Sequence, residues 1–343
     1  MSKLAPRLNQ IAIACGFTET HGKRRSSIPM GEFLSWDIPD EEPLLGTVMT
    51  RASTGLLSAP RGLGKSLLAM NIGYSVACGK RLLPWGVGAG VVVVYLDGEM
   101  HSRTFQKRLR QIRSRDTKDK TAAIAMQNLH IISRDSFGDV IGYIDIEQDQ
   151  LRIEELLPEN TALLIVDNLS AWTSSSREDG SAFAPIKRWL ARLRAKGIAV
   201  LLVHHTGKSG SDQRGSSVHE DMLDYSILLS EEKGASKPRN GTSFLLKHTK
   251  LRELHPDLPQ TCRFVLTTKE DVMHLAYEDC ENALSEIDAK IAERLEKGMQ
   301  GKAIAHELGI QTSKVSRVKT RLAAQQEATS QDGGAASEGS HEA

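Results

Sequence analysis

Cysteine is scarce in this chain of 343 residues: Cys15, Cys78, Cys262 and Cys280 lie far apart and form no C-x-x-C pair. Such spacing gives no disulfide framework and argues against a zinc site. Charge of one sign is lacking too. The formal net charge is +1 at pH 7, so the chain is no polycation. Any nucleic-acid binding must therefore come from local basic surfaces. Long hydrophobic runs are also missing, since the longest apolar stretches have the length of a strand, far short of a membrane-spanning helix. Residues 1–16 are partly apolar but carry Lys3 and Arg7 and lack a small-residue cleavage pattern. They read as neither signal peptide nor membrane anchor. The expected setting is a reducing cytoplasm, with no membrane partner.

What is present is ordinary for a globular protein, with 40% hydrophobic and 25% charged residues. The length suits one large α/β domain and a small accessory domain. Residues 1–42 form a weakly periodic N-terminal segment, in which Lys23-Arg24-Arg25-Ser26-Ser27 reads as an exposed turn. From Thr54 the pattern sharpens. Residues 55–58 predict a short strand and residues 66–77 a helix, with Leu68, Ile72 and Val76 on one face. Val91-Val92-Val93-Val94-Tyr95-Leu96, Leu163-Leu164-Ile165-Val166 and residues 198–203 are continuous apolar runs, as in strands buried on both faces. Between them, residues 104–115 read as a helix with five basic residues around Phe105, Leu109 and Ile112, and residues 184–195 as another. Strands alternating with helices predict a mostly parallel central sheet. Residues 226–229, 243–246 and 264–266 fit antiparallel strands at its edge, and a break is expected at 278–282. The α/β domain is therefore expected over 43–278, a small all-α module over 283–324, and a disordered, small and polar tail over 325–343.

The segment Ala59-Pro60-Arg61-Gly62-Leu63-Gly64-Lys65-Ser66 follows a strand and opens a helix. That is the context a phosphate-binding Walker A loop needs. Gly62 and Gly64 let the backbone wrap phosphates against a helix N-terminus. The expected nucleotide contacts run over Ala59, Gly62, Leu63, Gly64, Lys65, Ser66 and Leu67. Lys65 is the candidate for the β- and γ-phosphates of ATP, and the Ser66 hydroxyl for Mg²⁺. Ala59 stands where the usual pattern has Gly. Asp167, at the tip of a buried strand, is the second candidate for the Mg²⁺ shell. Glu99 follows the valine strand and is the candidate general base. Residues His204-His205-Thr206 end a third strand, and His205 is preferred as the γ-phosphate sensor. Adjacent strand residues face opposite ways, which argues against both histidines binding one metal.

Together these residues resemble the RecA/DnaB superfamily, and in particular the RepA-type hexameric helicases of plasmids and phages. The resemblance covers about residues 43–266 and takes in Arg214-Gly215-Ser216-Ser217. It implies a RecA-like P-loop core, a homo-oligomeric ring, usually a hexamer, and ATP bound between subunits. It also implies an arginine finger from the neighbour, with Arg214 and Arg252 as the two candidates. Arg252 closes Lys250-Leu251-Arg252, which resembles a K-x-R motif of the same superfamily. The loop 207–213 matches the family's DNA-contacting loop and places Lys208 among Gly and Ser. It holds no aromatic residue and so offers no stacking platform.

In the C-terminal module, Ile287, Ile291 and Leu295 repeat at helical spacing and Gly298 ends that helix. A second helix is expected over 301–308, a turn at Gly309-Ile310, and a third helix over 313–322 capped by Thr312. This spacing is that of a helix-turn-helix. Lys314, Arg317, Lys319 and Arg321 on the outer face are the candidate DNA contacts. The alternative is a helical packing module. Three functions stay open on this reading: a ring helicase with DNA-stimulated ATPase in plasmid or phage replication, a RadA-like recombination ATPase, and a DNA-bound regulator or loader that uses ATP as a switch.

Overall fold

The computed structural model describes residues 27–38, 40–116, 120–174, 180–206, 222–232, 238–253, 255, 258–316, 318 and 319. Lys208, Arg214, Arg317, Arg321, the basic run at 23–25 and the tail lie outside them. The chain divides into two compact units, Met1–Tyr277 and Glu278–Ala343.

In the first unit, a short helix α1 (Met30–Leu34) precedes strands β1 (Pro43–Leu45), β2 (Met49–Thr50) and β3 (Thr54–Ala59). Helix α2 (Lys65–Cys78) follows, then β4 (Arg81–Leu82), β5 (Gly86–Val87) and β6 (Val92–Asp97). Helices α3 (Ser102–Arg113) and α4 (Thr121–Asn128) lead to β7 (Leu129–Ser133). Helices α5 (Arg134–Phe137) and α6 (Glu147–Leu156) lead to β8 (Thr161–Asp167), and α7 (Gly180–Ala195) to β9 (Ala199–His205). The last strands are β10 (Tyr225–Ser230), β11 (Gly241–Leu251), β12 (Thr261–Lys269) and β13 (Val272–Asp279).

Nine strands form one sheet in the order β13-β12-β11-β10-β3-β9-β8-β6-β7. The six from β10 to β7 are parallel to one another. This is the expected mixed α/β fold with a mostly parallel central sheet. Continuous burial of β3, β6 and β8 explains their unbroken apolar runs, because both faces are covered. One core lies between the sheet and α2, where Leu68, Ile72 and Val76 meet Val93, Tyr95 and Ile165. The other lies on the opposite face, where Ile186, Trp189 and Leu193 of α7 meet Val94, Leu164 and Val200.

One expectation is corrected here. Residues 226–229 belong to β10, which runs parallel to β3 with Tyr225 opposite Gly55; it is not an antiparallel edge strand. Its buried pattern is that of an interior strand. Only β11 and β12 keep the antiparallel expectation. The break expected at 278–282 agrees with the division at 277/278, but no loop marks it: β13 ends at Asp279 and the next helix begins at Cys280.

In the second unit, α8 (Cys280–Glu296) and α9 (Gly301–Glu307) are followed by helical residues 312–316. Ile291, Ile304, Ala305, Val315 and Val318 form its core, with Ile287, Leu295 and Leu308 against it. Gly298 and Gly309 take positive φ of 77° and 64° after α8 and α9, where only a residue without Cβ is unstrained. Arg294 donates to Glu307 Oε1 from Nε and Nη2 at 3.1 and 2.9 Å and ties α8 to α9. Thr312 is not the cap of the third helix. It already lies within it, and Lys314 N donates to the Gln311 carbonyl at 3.0 Å.

Candidate active site

Parallel strands carry their C-terminal tips to one edge of a sheet, and ligands bind there in folds of this kind. The tips of β3, β6, β8 and β9 place the phosphate loop, Asp97, Asp167 and His205 together by register: Ala59 is opposite His205, and Asp97 opposite Asp167.

The loop is built as its sequence requires. Ala59 is fully buried and its carbonyl accepts from Thr206 N at 3.0 Å, which joins the loop to the end of β9. Gly62 has φ +78°, and a Cβ added there would meet nothing within 4 Å, so the loop opens toward solvent at this point. Gly64 has φ +105° and caps α2; a Cβ there would lie 2.7 Å from Thr242 Cγ2. Thr242 Oγ1 donates to the Leu63 carbonyl at 2.9 Å, so β11 braces the loop from behind. Leu63 is buried, and Leu67 packs against the core beneath α2.

Lys65 is only 6% exposed. Burial, offset by Asp167 and Glu99, pulls its ammonium below the ordinary lysine range, and the charges of Arg61 and Arg108 pull the same way. Its Nζ lies 3.2 Å from His205 Nε2. Asn168 Nδ2 stands at the same 3.2 Å from that nitrogen, and Glu99 Oε1 at 3.6 Å. Burial and the Lys65 charge lower the His205 pKa, so the imidazole is neutral at pH 7 and Nε2 can accept. Its Nδ1 is buried with no partner among the described residues. Burial pushes the Glu99 carboxyl up, but the Asn168 hydrogen bond, the neighbouring His205 and the Lys65 charge outweigh it and hold the group below the usual glutamate value. Glu99 is thus a half-exposed carboxylate beside a buried cation.

Asp167 is buried at the end of β8. Burial raises its pKa, against hydrogen bonds from Tyr95 and from Ser66. The Tyr95 hydroxyl donates to Asp167 Oδ2 at 2.7 Å. Ser66 and Asp167 therefore touch, as a Mg²⁺ pair would have to. No three His, Cys, Asp or Glu residues converge on a metal-sized site among the described residues.

The site brings together Ala59, Gly62, Leu63, Gly64, Lys65, Ser66, Leu67, Glu99, Asp167 and His205. It does not bring in Arg252. That residue lies beyond the far end of β11, about 30 Å along the strand from Thr242 at 3.3 Å per residue. There Arg252 Nη1 pairs with Asp224 Oδ1 at 3.2 Å, and Asp224 also holds Thr54 N. Three contributors went unassigned in the sequence reading. Tyr95 orients Asp167. Asn168 joins Glu99 to His205 and accepts from Ala171 N through its own Oδ1. Asp97 accepts from Met100 N and Ser133 Oγ, both at 3.3 Å, and so holds the turn that carries Glu99. The signal for Asp97 and Asn168 was their place at strand tips beside residues already named; nothing in the sequence marked Tyr95.

A second cavity, of about 610 Å³, lies at the other end of α2 and is lined by Tyr74, Lys80, Arg81, Arg115 and Tyr277 among others. It is separate from the phosphate loop by the length of α2, about 20 Å at 1.5 Å per residue. In the second unit, Lys319 is exposed and Lys314 half-buried. Among the described residues, no helix is long and apolar enough to cross a membrane.

No curated protein matches the sequence. Among solved structures, a DnaB-like replicative helicase, described with its interactions with primase, is similar at 15% identity and a TM-score of 0.46. The match covers 65% of this chain and 58% of that one, so the chain spans little more than half the helicase's length. The flagellar accessory protein FlaH from Methanocaldococcus jannaschii is similar at 14% identity and a TM-score of 0.44, over 66% of this chain and 90% of that one. The AAA domain family matches residues 19–211, more than half of the sequence, and the chain belongs to that family.

Proposed function

We propose that this chain is a DNA-dependent ATPase that works as a ring-forming helicase, in the manner its resemblance to plasmid and phage enzymes implies. The observation that carries the reading is the connected set Lys65–His205–Asn168–Glu99, in which the phosphate cation, the γ-phosphate sensor and the candidate base share hydrogen bonds. ATP fits a loop that is open at Gly62, carries a desolvated ammonium and is flanked by Arg61. Ser66 and Asp167 would hold Mg²⁺, which when bound neutralises charge on the phosphates.

The protein's own part follows from its protonation states. Glu99 is ionised at neutral pH and able to take a proton from a water molecule aligned on the γ-phosphate. Lys65 donates toward the phosphate oxygens and, in their absence, toward His205. Loss of the γ-phosphate changes what Lys65 and Asn168 offer to His205. Residues 207–213, with the candidate DNA contact Lys208 among them, follow β9 directly in the sequence, and on this reading the change at His205 passes along the chain to Lys208. Asp167 keeps its orientation through the Tyr95 hydroxyl.

A second reading, a DNA-bound switch, is favoured by the second unit: it has a three-helix core with Lys319 exposed on its third helix. The test is a strand-displacement and ATPase assay on forked and single-stranded DNA with wild type and Lys65→Ala. A helicase loses unwinding and ATPase together in the variant, and single strands stimulate the wild-type rate. ATPase without unwinding, with tight binding to one duplex site, overturns the helicase reading in favour of the switch. A monomer whose ATPase ignores DNA overturns both.

A further inference from the structure

Helix α3 carries more positive charge than its own fold uses. Its inner face is Phe105 and Ile112, both buried, with Leu109 against the same core. Arg103, Lys107, Arg110 and Arg113 are all exposed. At 100° per residue these four fall within an arc of about 120° and span about 15 Å. None forms an ion pair among the described residues.

Local structure does not account for the stripe. Like charges at i, i+3 and i, i+4 repel along a helix, and Arg103–Lys107, Lys107–Arg110 and Arg110–Arg113 are such pairs. Arg110 and Arg113, in the last turn, suit the helix dipole. Arg103 sits in the first turn, where a cation is disfavoured and no acidic residue of the helix stands. The negative group at that end is Asp135 on α5, which accepts from Ser102 N at 2.8 Å and lies 3.3 Å from His101 Nδ1, so it is already engaged. The stripe is thus arranged for an anion that the described chain does not supply.

We propose that the exposed face of α3 binds a nucleic-acid phosphate backbone. A duplex presents one phosphate per strand about every 3.4 Å along its axis, so four cations over about 15 Å meet about four phosphates. Arg suits phosphate recognition by its planar fork, and the neighbouring exposed Thr104 and Gln106 add uncharged hydrogen-bonding groups. A membrane surface is the poorer fit. A helix that lies in lipid needs an apolar face to insert, and the apolar side of α3 is spent on the protein core. The four residues are not among those of the nucleotide site, and the proposal does not rest on the helicase reading.

The test uses the full chain in a Lys314→Ala/Lys319→Ala background, so that the second unit contributes little. Binding of a fluorescein-labelled 30-mer, single-stranded in one arm and duplex in the other, is followed by anisotropy between about 0.05 and 0.2 M salt. Changing Arg103, Lys107, Arg110 and Arg113 to Gln should weaken binding at least about tenfold and lower the slope of log affinity against log salt by about 3 in at least one arm. The arm that responds identifies the form of nucleic acid. An unchanged slope in both arms overturns the proposal. So does loss of binding to phosphatidylserine vesicles with oligonucleotide binding intact. Should the fourfold variant not fold, acetylation of Lys107 in the unaltered protein gives the same answer: the oligonucleotide should protect it, and equal labelling with and without oligonucleotide overturns the proposal.

Discussion

Asp97 shows how a residue can matter to the site without touching a ligand. It is 1% exposed, and burial, with the neighbouring charge of Asp167, pushes its carboxyl up to about 6. The folded chain therefore holds this proton more tightly than the unfolded one. The stabilising proton uptake is complete below the ordinary aspartate range and is lost as pH rises through about 6. Above that pH the ionised group stays buried at a cost on the order of 1 to 3 kcal/mol. Asp97→Asn should consequently raise the urea midpoint at pH 8, without Mg²⁺ or nucleotide, and leave it nearly unchanged at pH 4.5. Equal midpoints for the two proteins at pH 8 would show that burial of the charge costs nothing. The sequence made Lys65, Ser66, Glu99 and Asp167 legible because each stands next to a strand or glycine signal that fixes its chemistry. It hid Tyr95, because an aromatic residue in a valine run reads as core and only the neighbouring strand reveals that its hydroxyl reaches Asp167.

At the scale of elements, periodicity and glycine placement located four of the six parallel strands, β3, β6, β8 and β9; β7 went unread, and two further features of the sheet escaped. Strand β10 looked like an edge strand because its partner, β3, is distant in sequence. The hairpin from β12 to β13 turns at Glu270 and Asp271, both at positive φ of 51° and 60°. Turns of that shape usually advertise themselves with Asn-Gly or Asp-Gly, and here neither is present. The close approach of β10 to β3 leads to a second prediction. Gly55 faces the Tyr225 ring, and a Cβ added there would lie 2.0 Å from Tyr225 Cζ. Both residues are buried in the sheet that carries the phosphate loop. Gly55→Ala should destabilise the fold by about 1–3 kcal/mol through overpacking. In a Tyr225→Ala background the same change should cost close to nothing, because the clash is gone. Equal costs in the two backgrounds, measured by urea unfolding, would locate the strain in the glycine backbone and not in the ring.

For the whole molecule, the half-exposed Glu99 and the opening at Gly62 describe a site with one side unclosed by its own chain among the described residues. A ring in which a neighbour closes that side has a consequence that no single subunit can imitate. Subunits with Lys65→Ala lose the cation of their own phosphate loop but still present an arginine finger to the next copy. Subunits with Arg214→Ala keep the loop and lose the finger. Each preparation alone should be inactive, and mixing them should restore ATPase activity at the interfaces where an intact loop meets an intact finger. Arg252→Ala should stay active on its own, since Arg252 is paired with Asp224 at the end of the sheet remote from its own loop. If instead Arg252→Ala is inactive and is rescued by the Lys65→Ala partner, Arg252 is the finger and its pairing with Asp224 is exchanged on assembly. If neither mixture recovers activity while both variants still assemble, the site is complete within one chain, and the ring is not what makes this ATPase work.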